Sequence, residues 1–462
     1  MDIKIKLNNR EIIAREGDNL SEVLISNGIS HPRPCGGRGS CGKCRVLVDG
    51  ESTLACRYTL SKDITVEMAP EGDMLCESIQ SNEEIAGGGD IVLDLGTTTL
   101  AMALVDKESK RVSRVVTSPN PQRSCGADII SRIEYCRKNG AKTLTSLICR
   151  EISKMIRELS VSNADTLHVA GNTTMLHILA GIDPCGMGAA PYSPVFTEEK
   201  VIDAESLGIN GVKWVRLLPT ISAFVGADIV AGIYELGIPT YGYRLLIDLG
   251  TNAEIALISS KKIITTSAAA GPCFEGANIS CGMSATDGAI YSYDGITAKT
   301  INDAPARGIC GTGLVDIIAF LLWRGKIDAS GMLDEEEFEI SPAVSLTQED
   351  VRAFQLAKSA ICSAITMLLD RAGVNAEDID TLYISGGFSA KIDPEKAAYT
   401  GLIPTELADK CIPIGNSSLS GAIKAVFEEN NLAEIAGNAV YVDLSSDPEF
   451  ADLFIKNMSF RR

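Results

Sequence analysis

An octapeptide written twice constrains this chain more than any other feature. Ile91-Val92-Leu93-Asp94-Leu95-Gly96-Thr97-Thr98 returns as Leu245-Leu246-Ile247-Asp248-Leu249-Gly250-Thr251-Asn252. Each copy runs on into a second alternating segment, residues 100–104 and residues 254–257. Apolar runs on both sides of a Gly-Thr turn predict strand, turn, strand. Later in each half comes a strand, a glycine turn and a helix, HVAGNTTMLHILAG at 168–181 and YISGGFSAKI at 383–392. A duplicated unit with helices between predicts two similar α/β lobes facing each other.

The repeated turn has a chemical use. Its amides and threonine hydroxyls can face phosphate oxygens while the aspartate holds hydrated magnesium. Two such turns, one per lobe, clamp a triphosphate from both sides. The candidates are Asp94, Gly96, Thr97 and Thr98 in the first copy and Asp248, Gly250, Thr251 and Asn252 in the second. Gly386-Gly387 comes after a strand and would let a nucleotide approach the backbone before a helix N-terminus. Asn172 is the pseudo-symmetric counterpart of that double glycine, a candidate for orienting the attacking water, with a plain helix N-cap as the alternative. No Walker A loop and no GxGxxG after a strand is present. The arrangement resembles the acetate/sugar kinase, heat-shock chaperone and actin superfamily over about 90–425. That resemblance implies ATP with Mg2+ between RNase-H-like/actin-like lobes, closing on ATP and opening on hydrolysis.

Residues 1–69 read as a separate β-rich module. Ile3, Ile5 and Leu7 alternate, Asn8-Asn9 turns, and Ile12-Ile13-Ala14 returns, which is a hairpin. Asp18-Asn19 starts a helix, with Glu22 placed for a capping box. After a cysteine loop come strands at 45–48 and 64–67. Residues 70–89 predict a tether, because Glu71, Asp73, Glu77, Glu83, Glu84 and Asp90 stand without a basic residue around Gly87-Gly88-Gly89.

Of 14 cysteines, Cys35, Cys41, Cys44 and Cys56 are clustered and the rest scattered. In the glycine-rich string CGGRGSCGKC, thiolates converge while amides stay free to donate to sulfide. A zinc knuckle is the alternative, but zinc ribbons usually carry two CxxC pairs and only Cys41/Cys44 form one. The module resembles 2Fe–2S ferredoxins of the β-grasp fold. The organisation is thus a multi-domain α/β chain: a 2Fe–2S ferredoxin module at 1–69, a linker at 70–89, a first lobe at 90–240, and a second lobe at 241–462 carrying the adenosine motif and a C-terminal tail.

Length and charge agree. At ~150 residues per domain, 462 residues make about three packing units. Forty-two basic against 60 acidic residues, with no basic stripe, exclude a nucleic-acid or anionic-membrane binder. No apolar run approaches 18 residues and the N-terminus has no signal-peptide core, so a cytoplasmic protein is expected.

Several strings then carry a closer likeness: CGGRGSCGKC, DLGTTTLA at 94–101, NPQRSCGADIISRI at 120–133, AGNTTMLH at 170–177, FVGADIVAGI at 224–233, AAGPCFEGANISCGM at 269–283 and FADLFIKNMSF at 450–460. Across nearly the whole chain these resemble the reductive activators of corrinoid proteins. The resemblance implies docking on a Co(II) corrinoid protein of a methyltransferase system and ATP-dependent reduction to Co(I) through the 2Fe–2S cluster. It also implies an electron donor not named by the residues, and leaves a homodimer open. The loops at 271–276 and 120–122 are candidates for corrinoid-protein contact, with buried bends as the alternative. Other readings are an activator of a different low-potential metalloenzyme, a small-molecule kinase with an accessory ferredoxin module, or a non-enzymatic electron carrier or assembly chaperone. The kinase needs a general base, for which Asp228 and Asp316 are candidates. His31, His168 and His177 are too separate for a triad and read as structural.

Overall fold

In the computed structural model, residues 2–7, 10–27, 29, 44–68, 89–161, 164–387, 389–444 and 447–460 are described. The N-terminal module is a five-stranded sheet in the order Arg10–Arg15, Asp2–Leu7, Ile64–Met68, Arg45–Val48, Glu51–Leu54. The alternation that predicted its hairpin puts Ile3, Ile5, Leu7, Ile12 and Ala14 on one buried face. Helix Leu20–Ser26 covers that face with Leu20, Val23 and Leu24. The Asn19 side chain caps it, accepting from the Ser21 and Glu22 amides. The Asn8-Asn9 turn lies outside the described residues, as does the expected tether apart from Gly89.

The two repeats fold as two six-stranded sheets. The first runs Lys200–Asp203, Val212–Leu217, Ala164–Gly171, Asp90–Leu95, Thr99–Asp106, Arg111–Pro119. The second runs Cys411–Gly415, Ile379–Ser385, Tyr243–Leu249, Ala253–Ile258, Ile263–Ala268, Ala439–Tyr441. In both, the repeat strand pairs antiparallel with its hairpin partner and parallel with the strand before the glycine turn. Gly171 and Gly386 both hold positive φ, and both must be glycine because a Cβ there would also lie 2.7 Å from the Leu95 carbonyl oxygen and 2.2 Å from that of Leu249. The two glycine turns are therefore structural equivalents. They differ in the element that each one opens: Asn172 caps helix Thr173–Leu179, whereas Gly387 leads only into a short 3-10 turn, Ser389–Lys391. The helix N-terminus expected directly after the double glycine does not form, and the next α-helix starts at Pro394.

Helices Ala227–Leu236 and Ser417–Phe427, one from each lobe, cross between the sheets and share one apolar core with both. Small residues set the crossing: a Cβ on Gly421 would sit 1.9 Å from the Ala231 carbonyl oxygen, and one on Gly232 2.8 Å from Ser417 Oγ. The longest helix, Gln348–Ala372, is apolar and long enough to cross a membrane by length and composition, although polar residues punctuate it and keep any unbroken apolar run short. Of its most apolar window 78% is buried, and Gln355, Lys358, Ser359 and Ser363 turn toward the C-terminal helix. Buried Lys358 donates to the Ser459 and Asn457 carbonyls, and Gln355 Nε2 donates to the Met458 carbonyl at 2.8 Å, closing the end of helix Pro448–Met458.

The crossing gives a direct test. Gly421→Ala must push the two helices apart, and should cost about 1–3 kcal/mol in urea denaturation. Gly437→Ala, where a Cβ meets nothing within 4 Å, should stay within about 0.5 kcal/mol of the parent.

Candidate functional site

Two thiols of the cysteine set are described, and they converge. Cys44 Sγ lies 3.1 Å from Cys56 Sγ, although 11 residues separate them. The chain holds them there: the Ala55 amide donates to the Cys44 carbonyl at 2.9 Å, and Asn19 Nδ2 donates to the Cys56 carbonyl at 2.9 Å. Cys35 and Cys41 lie outside the described residues. Two sulfurs meeting from separate segments, one of them buried, fit a thiolate-ligated centre. Of the scattered thiols, Cys136, Cys273 and Cys411 are each pushed up to about 12 by burial, which keeps them protonated and inert. Among the described residues no three His, Cys, Asp or Glu side chains are grouped closely enough to hold a metal, so Cys273, Cys281 and Cys310 form no second centre.

The other sequence-predicted residues come together between the lobes. One cleft is lined by Asp94, Gly96, Thr97, Thr98, Asn172, Asp248, Gly250, Thr251, Asn252, Gly386 and Gly387. The first turn is held from behind. Asn120 Nδ2 donates to the Gly96 carbonyl at 2.8 Å, Arg132 Nη2 to that of Thr97 at 2.6 Å, and the Asn120 amide to that of Thr98 at 2.8 Å. With these carbonyls drawn outward, the planar trans peptides turn the N–H groups of Thr97 and Thr98 the opposite way, toward the cleft. That is the orientation an anion needs. Arg132 is completely buried and its guanidinium is pushed down to about 10 by burial, so it also puts positive charge behind the turn. The 120–122 loop is therefore a buried brace, with Asn120 and Gln122 inaccessible, and not a surface for a partner protein.

Three more acids join the two aspartates: Asp228, Glu254 and Glu275. Glu254 is the strand partner of Asp248, where the first lobe has Ala101 opposite Asp94. Glu275 Oε2 accepts from Thr98 Oγ1 and Thr251 Oγ1, each at 2.6 Å, so the 271–276 loop also faces inward. The two repeat aspartates are not equivalent. Asp94 accepts from Asn416 Nδ2 at 2.7 Å and Ser418 Oγ at 2.8 Å, at the start of the second lobe's crossing helix. Burial pushes its carboxyl up, and those two bonds oppose the rise. At the matching position of the first lobe's crossing helix stands Asp228. Burial, then the charges of Asp228 and Asp94, hold Asp248 well above the ordinary carboxylate range, and Asp228 itself is pushed up to about 7 by burial first. Burial followed by Asp228 and Asp248 does the same to Glu254. An all-oxygen site with surplus negative charge fits a hard divalent cation that keeps several waters and takes phosphate oxygens, since the side chains alone do not encircle an ion.

At the far end, Ser284, Tyr291, Ile301, Thr312 and Lys391 line the cleft, with Lys391 Nζ 4.4 Å from the Tyr291 ring centre. Asp316 is not a base, because Lys396 pairs with it at 2.7 Å and Ser292 donates to it at 2.9 Å. His168 pairs with Asp90 at 2.9 Å, and His177 bonds the Thr173 carbonyl and the Val195 amide, so both are structural, while His31 lies outside the described residues. Asn172 lines the cleft while its Oδ1 accepts from the Thr174 amide at 2.9 Å, the capping role.

Comparison with known proteins agrees with this architecture. Residues 242–462 match the C-terminal domain of RACo, the ASKHA domain, residues 89–240 the RACo middle region, and residues 1–71 a 2Fe–2S iron–sulfur cluster binding domain. The corrinoid activation enzyme RamQ of Eubacterium limosum is 31% identical, over 84% of this chain and 73% of its own length. The [Co(II) methylated amine-specific corrinoid protein] reductase of Methanosarcina barkeri is 28% identical, over 75% and 71%. A solved structure, the reductive activator for corrinoid,iron-sulfur protein, superposes over 99% of this chain and 98% of its own with a TM-score of 0.75 at 26% identity.

The raised Asp228 carboxyl makes stability depend on pH. Between the ordinary value of 3.8 and about 7, the folded chain keeps a proton that the unfolded chain has lost. Stability therefore falls as pH rises through that window. Asp228→Asn removes the titration and should gain on the parent by about 1 kcal/mol per pH unit between pH 5 and 7, read from urea midpoints in EDTA. A pH-independent gap would mean that Asp228 is already ionised in the fold.

Proposed function

Because the chain belongs to the RACo family, we propose that it is the ATP-hydrolysing activator of a corrinoid protein, returning inactive Co(II) to Co(I). The observation that carries this is the pairing, in one chain, of converging cysteine thiols with a two-lobed cleft whose turns present amides and hydroxyls to phosphate. The 2Fe–2S centre supplies one-electron storage at low potential when bound, and Cys35, Cys41, Cys44 and Cys56 would hold it. We further propose the division into a ferredoxin module at 1–69, a tether at 70–89, and lobes at 90–240 and 241–462.

Each group in the cleft has a task in this reading. The amides of Thr97 and Thr98, set by Asn120 and Arg132, receive phosphate oxygens from the first lobe. Gly250, Thr251 and Asn252 do so from the second, and Gly386-Gly387 lets the nucleoside approach the backbone. Asp248 and Asp228 would hold hydrated Mg2+, because two buried acids facing one another gain most from a cation. Asp228, at the head of a crossing helix, is placed to take a proton from the attacking water. Asp94, already satisfied by Asn416 and Ser418, ties the first turn to the second lobe's helix. Phosphate loss thus acts on both crossing helices at once. The client is a Co(II) corrinoid protein of a methyltransferase system, the setting is the cytoplasm, and neither nucleic acid nor a membrane takes part.

The test is anaerobic absorption of a Co(II) corrinoid protein mixed with this chain and a low-potential reductant. Co(I) should appear only with ATP. Cys44→Ser should abolish Co(I) formation while keeping ATP hydrolysis within about threefold, and Asp248→Asn should lower both by about 100-fold or more. Equal Co(I) yield with and without ATP would contradict the proposal.

A further inference from the structure

One carboxylate in the cleft touches both lobes at the places where phosphate is expected. Glu275 Oε2 accepts from Thr98 Oγ1 of the first turn and Thr251 Oγ1 of the second, both at 2.6 Å. Its other oxygen lies over the second turn, 3.7 Å from where a Cβ on Gly250 would stand. Glu275 comes from a loop of the second lobe, so its bond to Thr98 crosses between lobes.

A threonine hydroxyl has one proton. While that proton goes to Glu275, neither hydroxyl can donate it to a phosphate oxygen, and the carboxylate also brings negative charge to the same spot. The backbone of the loop is fixed. Gly271 and Gly276 take positive φ, the Ala277 amide donates to the Pro272 carbonyl at 3.1 Å, and a Cβ on Gly276 would lie 2.4 Å from the Met283 amide. Phe274 is buried with its ring set edge-on against Phe354, centroids 5.8 Å apart. With the loop backbone set, a ligand that takes the two hydroxyl protons acts on the Glu275 side chain.

We infer that Glu275 is a clasp that competes with the terminal phosphate of ATP for the hydroxyl protons of Thr98 and Thr251. The inference rests on the nucleotide reading above. Arrival of the terminal phosphate turns both hydroxyls away from Glu275 and releases the cross-lobe bond. Departure of that phosphate restores it, so a single positioning residue distinguishes the triphosphate from the diphosphate. Glu275 acts through the two threonines.

The experiment is calorimetric titration of Mg2+-ADP and the Mg2+ complex of the β,γ-imido analogue of ATP into the full-length chain and Glu275→Gln. The amide keeps the shape and removes the charge. The analogue should bind about tenfold more tightly to the variant, the ratio expected for one charge-assisted hydrogen bond weakened. ADP affinity should move less than about threefold. In steady-state hydrolysis the KM for ATP should fall while kcat does not rise. Equal shifts for both nucleotides, or weaker analogue binding, would overturn the clasp and leave Glu275 a structural acid. Failure of the parent chain to bind either nucleotide would instead overturn the nucleotide reading. If Glu275→Gln does not fold, Glu275→Asp keeps the charge but cannot reach both hydroxyls, and must still favour the analogue over ADP relative to the parent; if it does not, the clasp is excluded.

Discussion

Five acids facing one cleft are the constraint on which the rest of the structure turns. Asp94, Asp228, Asp248, Glu254 and Glu275 arrive from both sheets and from a loop, and among the described lining residues Lys391 is the one basic side chain. Such a set is tolerated only where each charge is hydrogen-bonded, protonated or met by a cation. The chain uses the first two. Asp94 has Asn416 and Ser418, Glu275 has two threonines, and the remaining three are pushed toward the protonated form by burial first and by neighbouring acids of the set second. Magnesium with its nucleotide would provide the third. A cleft built this way changes its internal electrostatics sharply when a Mg2+-triphosphate enters, which is what a machine that couples ATP to another event requires.

Divergence between the duplicated halves gives the cleft its direction. The two sheets share strand order and glycine turns, and the two crossing helices share a core. At equivalent helix positions one half has Ser418 and the other Asp228, and at equivalent strand positions one has Ala101 and the other Glu254. Serine donates to the aspartate it faces; aspartate repels it. One side of the pseudo-dyad is thus a tie between lobes and the other is an acidic face suited to chemistry.

Much of this was legible in the residues. Apolar runs on both sides of the repeated Gly-Thr turn placed both hairpins, and the cysteine string marked the module that carries it. What the sequence hid were partners brought in from elsewhere in the chain. Ser418 and Asn416 lie more than 300 residues from Asp94, and no local pattern links them. A signal existed, because Gly226-Ala227-Asp228 and Asn416-Ser417-Ser418 both open a helix beside a strand end in corresponding halves. Extending the repeat to those helices would have set Ser418 against Asp94 and Asp228 against Asp248, where the sequence offered Asp228 only as a kinase base. Glu275 and Arg132 were inside recognised strings, where a buried bend and a partner-contact loop were both open, and only packing shows that both face inward. The helix expected within 383–392 gives way to a 3-10 turn, and the α-helix itself starts only where Asp393 caps it and Pro394 opens it.

The central question is whether the nucleotide enters this acidic cleft with its cation. Calorimetric titration of ATP into the intact chain, once with Mg2+ and once with EDTA, measures that directly. Binding should weaken by about 100-fold or more without the cation, because bare phosphates then face the acids unscreened. Equal affinity in EDTA would contradict the account, since a triphosphate that needs no cation cannot be lying among these five carboxylates.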